Sequence, residues 1–69
     1  MMFASRLTSL RESKSLTIPQ LATLAGMSRQ AIHLLEAGKR QPSLDTAERL
    51  AKALGRKLRV FEITKDESQ

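Results

Sequence analysis

The run Gln20-Leu21-Ala22-Thr23-Leu24-Ala25-Gly26-Met27-Ser28-Arg29-Gln30-Ala31-Ile32 constrains the fold of this chain more than any other feature. Apolar periodicity climbs to Ala25, stops at a glycine and restarts after a serine. Gly26 is free to take the positive φ that closes a helix. Ser28 offers a side-chain oxygen to the unpaired N–H groups that open the next one. The spacing predicts two short helices joined by a tight turn, with Met27 plugging the angle between them. Leu21, Ala25, Met27, Ile32 and Leu35 then face one shared core, and Arg29, Gln30, His33 and Leu34 are left outside.

Two further helices frame this pair. Phe3, Leu7 and Leu10 recur at spacings of four and three, which predicts a packing helix over residues 2–13 that Ser15 breaks. Thr17 is a good cap for a helix over 18–25, where Pro19 sits in the first turn and its missing N–H costs nothing. Leu16, Leu21 and Leu24 are expected to anchor that turn. The next helix runs from Arg29 to about Ala37, and Gly38 ends it. Gly38-Lys39-Arg40-Gln41-Pro42 reads as a basic loop, and Ser43 caps a helix over 44–54 with Leu44, Ala47, Leu50, Ala51 and Leu54 on one stripe. Glu36 is expected to pair locally with Arg40 or Lys39. Arg6 and Arg11 read as solvated helix charges.

After Gly55 the pattern changes. Lys57-Leu58-Arg59-Val60-Phe61-Glu62-Ile63-Thr64 is rich in β-branched and aromatic residues with a rough period of two, which predicts a strand. A lone strand leaves N–H and C=O groups unpaired on both edges. The expected partner is the same strand of a second copy, which makes Leu58, Val60, Phe61 and Ile63 the candidate dimer interface. Residues 1–55 thus read as the helical domain, 56–64 as a dimerising strand and 65–69 as a disordered tail. The expected fold class is mainly α.

Composition narrows the function. The chain of 69 residues holds no cysteine and one histidine, so neither a disulfide nor a metal site with thiolate or paired-imidazole ligands is expected. A core this small is marginal. Residues 1–59 carry eleven Lys or Arg against four acids, whereas the last ten carry one Lys against three acids, so the body of a chain with net charge +5 is strongly basic. That is the footprint expected of a phosphate binder, one that ribosomal, membrane-surface and merely soluble domains share. No apolar run approaches the ~20 residues that span a bilayer, and the start lacks the pattern of a signal peptide. A cytoplasmic protein is expected. No nucleophile–base set, phosphate-cradling Gly loop or persuasive carboxylate pair is present, so catalytic residues and cofactors are not expected.

The ordered set Leu16-Thr17, Leu21-Ala22, Ala25-Gly26-Met27-Ser28, Ile32, Leu35-Glu36, Gly38-Lys39-Arg40, Pro42-Ser43-Leu44-Asp45-Thr46 and Leu50-Ala51-Lys52-Ala53-Leu54-Gly55 resembles the Cro/repressor (Xre-type) helix-turn-helix family, whose fold is lambda-repressor-like. The resemblance covers roughly residues 7–55. Ile18 departs from it, because the family often carries there a glutamine that bonds a phosphate and braces the reading helix. The strand-like 58–63 segment departs as well, replacing the usual fifth helix, and is similar to the C-terminal strands of HipB-type antitoxins.

The resemblance implies double-stranded DNA as partner, with the third helix in the major groove. Arg29 and Gln30 then come first to the bases, where Arg matches guanine O6 and N7 and Gln matches adenine N6 and N7. His33 reaches a base or a phosphate. Leu34 either contacts a thymine methyl or packs under a neighbour or the partner subunit. Thr17, Ser28 and Ser43 at helix starts, and Lys39 and Arg40 in the loop, are the candidate phosphate contacts. The implied function is a dimeric, sequence-specific transcriptional repressor on a palindromic operator. The alternative is an antitoxin that neutralises a cognate toxin protein and regulates its own operon.

Overall fold

The computed structural model describes residues 2–61. Among them are four α-helices and one 3₁₀ turn: α1 Met2–Ser13, α2 Ile18–Ala25, α3 Arg29–Glu36, α4 Leu44–Ala53 and the turn Leu58–Phe61. Each helix starts and stops where the local chemistry demands. Thr17, Ser28 and Ser43 hold extended backbone and accept from the amides of Gln20, Ala31 and Thr46. At the other end, Gly26 takes φ 67° and ψ 37°, and Met27 N–H reaches back to Ala22 O at 2.9 Å. α1 closes the same way without a glycine. Ser15 sits at φ 57°, and Leu16 N–H bonds Arg11 O at 3.1 Å.

The four helices surround one core. Leu7 of α1, Leu21 of α2, Ile32 and Leu35 of α3, and Leu50 of α4 are fully buried, with Leu54 beside them just past the end of α4. Each such side chain contributes about 1.5–3 kcal/mol relative to leaving it in water. Ala22, Ala25, Ala47 and Ala51 fill the gaps where helices approach closely. Phe3, Leu10, Leu16, Ile18 and Met27 pack on its margin. No helix among the described residues is long and apolar enough to cross a membrane.

Three expectations need correction. The segment after Gly55 is not a strand in the described residues. Leu58–Phe61 coils into a 3₁₀ turn, with Val60 N–H bonded to Lys57 O at 2.9 Å. The reason is apolar burial: the turn seats Phe61 against Phe3, ring centroids 4.6 Å apart and planes tilted by 49°, and lays Leu58 and Val60 on the same core. Phe61 is 3% exposed and Leu58 and Val60 are partly buried on the chain's own core, so the described residues present no strand edge for these side chains to pair across. Ile63 and the tail 65–69 lie outside the described residues. Leu24, expected to anchor the turn before α2, and Leu44, expected on the apolar stripe of α4, are exposed instead at 59% and 41%. The helix boundaries stand within a residue of expectation: Ala37 and Leu54 are caps rather than members of α3 and α4.

Candidate nucleic-acid interface

α3 is the element that presents the candidate side chains. At about 100° per residue, Arg29, His33, Gln30 and Leu34 fall within an arc of about 140°, and Ile32 and Leu35 fall opposite. The structure follows that division. Ile32 and Leu35 are fully buried, whereas Arg29, Gln30 and His33 are exposed. Leu34 is partly buried but does not pack on the core, which leaves it at the rim of the exposed arc.

The caps that orient the helix starts are also the candidate phosphate contacts, and they differ in what they leave available. Thr17 and Gln20 form a reciprocal box: Gln20 N–H donates to Thr17 Oγ1 at 3.2 Å, and Thr17 N–H donates to Gln20 Oε1 at 2.8 Å. Ser28 Oγ accepts from Ala31 N–H at 3.0 Å. Ser43 Oγ accepts from Thr46 N–H at 3.1 Å and donates to Thr46 Oγ1 at 2.9 Å, so its hydroxyl hydrogen is already engaged. Lys39 and Arg40 are exposed in the loop after α3, where Gly38 takes φ 75° and Lys39 N–H closes the helix onto Leu34 O at 3.0 Å.

Glu36 does not pair with that loop. It accepts both arms of Arg11, from Nε at 2.7 Å and from Nη2 at 3.0 Å, with the two side chains 14% and 9% exposed. Arg11 Nη1 also donates to Leu16 O at 2.8 Å. One guanidinium therefore ties the end of α1 to the end of α3 and to the residue that leads into α2. The hydrogen bond to Glu36 raises the Arg11 guanidinium above its ordinary value, against the lowering effect of burial. Arg11, a solvated charge by its sequence pattern, is thus the anchor of the exposed helix, and no spacing signal links two residues 25 positions apart. The pairing also neutralises the one acid of α3. On the other side of the turn, Arg49 Nη1 reaches Gly26 O at 3.5 Å and Nη2 faces Asp45 at 3.6 Å, both exposed and long.

No group of three His, Cys, Asp or Glu side chains is placed to hold a metal among the described residues. The arrangement is a helix whose exposed edge carries Arg29, Gln30 and His33, tied to α1 through the Arg11–Glu36 pair.

The helix-turn-helix family profile matches residues 7–61. The chain belongs to the helix-turn-helix family. Its Xre-type, lambda-repressor-like character is carried by relatives and by structure alike. It is 45% identical over 53 residues to the HTH-type transcriptional repressor RghR of Bacillus subtilis, covering 75% of this chain and 39% of that protein. It is 48% identical over 46 residues to an uncharacterised HTH-type transcriptional regulator of Methanothermobacter thermautotrophicus, covering 67% of each chain. The restriction-modification controller protein C.AhdI from Aeromonas hydrophila superposes with a TM-score of 0.84 at 37% identity, over 87% of this chain and 91% of that one. The helix-turn-helix match extends to Phe61, so the 3₁₀ turn falls inside the matched region.

Proposed function

We propose that this helix-turn-helix chain is a sequence-specific DNA-binding transcriptional regulator that represses, with α3 lying in the major groove. The observation that carries the reading is the split of α3 into a buried edge, Ile32 and Leu35, and an exposed edge led by Arg29 and Gln30 at its N-terminal end. Arg29 and Gln30 read base edges through the bidentate geometries their side chains allow. His33, one turn on, meets a base or a phosphate, and Leu34 at the rim contacts a thymine methyl. Thr17, Ser28, Lys39 and Arg40 hold the phosphates, with Ser43 contributing its helix start more than its hydroxyl. The similarity to a named repressor supports the direction of regulation.

One α3 touches few base pairs, so useful specificity calls for two copies on a palindrome with half-sites one helical turn, about 34 Å, apart. The test is selection of bound duplexes from a randomised pool across a salt series, starting with the purified protein. The expected result is an enriched palindromic motif that survives rising salt. Recovery of unselected sequences whose binding vanishes with salt would leave only non-specific attraction and sink the reading.

A further inference from the structure

The fold gathers a second set of cations away from α3. Gly55 ends α4 at φ 69°, and Arg56 N–H closes that helix onto Ala51 O at 2.8 Å. Because Leu58, Val60 and Phe61 turn inward to the core, Arg56, Lys57 and Arg59 are thrown outward, and all three are exposed. Together with Val60 they line an open concavity of about 400 Å³. Lys14, from the end of α1, completes the set. Its Nζ lies 3.7 Å from where a Cβ on Gly55 would stand, so two segments distant in sequence converge there. Lys52, in the last turn of α4, is exposed beside them.

None of these five cations takes part in an ion pair among the described residues. Of the acids of those residues, Glu36 pairs with Arg11, Asp45 faces Arg49, Glu48 has partners of its own, and Glu12 is exposed on α1. Packing explains why Leu58, Val60 and Phe61 are where they are, but it does not explain why every outward position between Gly55 and Val60 is cationic. Like charges set this close repel, and the arrangement suits a polyanion that brings the compensating charge.

We infer that the surface formed by Lys14, Arg56, Lys57 and Arg59 is a second nucleic-acid contact, which binds the phosphodiester backbone without regard to sequence. An acidic protein surface fits less well, because the buried centre of a protein interface is more apolar and depleted of lysine, whereas Val60 is the single apolar residue lining the concavity. The inference does not rest on base reading by α3, since a backbone contact works on any duplex.

The test uses the full chain and a short duplex of arbitrary sequence. In the wild type, the backbone amides of Gly55 to Arg59 shift in heteronuclear correlation spectra as duplex is added. In the triple variant Arg56→Gln, Lys57→Gln, Arg59→Gln, the slope of log K against log salt becomes shallower by about 2.7, at about 0.9 for each phosphate no longer neutralised. Circular dichroism is the check that the variant is folded. Amides of 55–59 that do not move on duplex addition, or an unchanged slope in the folded triple variant, would overturn the inference.

Discussion

At the scale of single residues, the proposed interface separates into side chains that choose a sequence and side chains that only hold DNA. Arg29, first on the exposed edge of α3, belongs to the first kind. Arg29→Ala should cost about 1–3 kcal/mol on the selected operator and relax preference at one position per half-site. Lys39→Ala should weaken binding to all sequences alike and make the salt slope shallower by about 0.9. Equal losses of Arg29→Ala on operator and arbitrary DNA would remove Arg29 from the reading edge. A different residue stores strain for the fold. Ser15 is the sole non-glycine at positive φ among the described residues, and a side chain there costs about 1–2 kcal/mol. Ser15→Gly should therefore stabilise the domain by about 0.5–1 kcal/mol after the greater flexibility of the unfolded chain is counted, raising Tm by a few degrees in a thermal melt. Sequence signals Gly26, Gly38 and Gly55 as helix ends, because glycine is the residue that positive φ selects. Ser15 is recognisable as a break but not as a left-handed cap, since serine serves many turns.

At the scale of elements, helix starts are written locally and helix docking is not. Thr17, Ser28 and Ser43 are caps in sequence and in structure because a cap is defined by residues three apart. The Arg11–Glu36 clamp depends on how α1 lies across α3, which only the assembled fold decides, so its charges look from sequence like a solvated Arg and a loop-paired Glu. Leu24 and Leu44 fit the apolar stripes of their helices yet are exposed, because each stripe is wider than the face its neighbours cover. The clamp gives a prediction in which charge and positioning have opposite signs. Glu36→Gln removes an acid and frees the charge of Arg11, so simple electrostatics tightens binding to every duplex. If the clamp sets the direction of α3, operator binding should instead fall relative to arbitrary DNA, with a stability loss of about 1–2 kcal/mol from the weakened charged hydrogen bonds. Parallel titrations on the two duplexes decide it, and equal tightening on both would show that α3 keeps its direction without the clamp.

At the scale of the whole molecule, the segment after Gly55 changes what the domain is. Alternation in residues 57–64 suggests a strand because period two and a short apolar run look alike in so few residues, and no local signal announces that a phenylalanine near the start of the chain completes the contact. Phe3 and Phe61 close the core between the first helix and the last described turn, and Leu58 and Val60 seal its edge. In a chain of 69 residues a single core supplies only about 3–5 kcal/mol of net stability. A buried Phe→Ala change costs about 3–5 kcal/mol, so Phe61→Ala should leave the domain largely unfolded at room temperature, while Phe61→Leu, which keeps most of the volume, should still melt cooperatively at a lower Tm. A chain cut after Lys57, which retains all four helices, should lose cooperative melting for the same reason. Circular dichroism on the three proteins checks this, and a cut chain that melts like the intact one would mean that the four helices carry the domain alone. The same placement makes Arg56, Lys57 and Arg59 rigid parts of the domain rather than a trailing arm, because the side chains between and after them are fixed in the core.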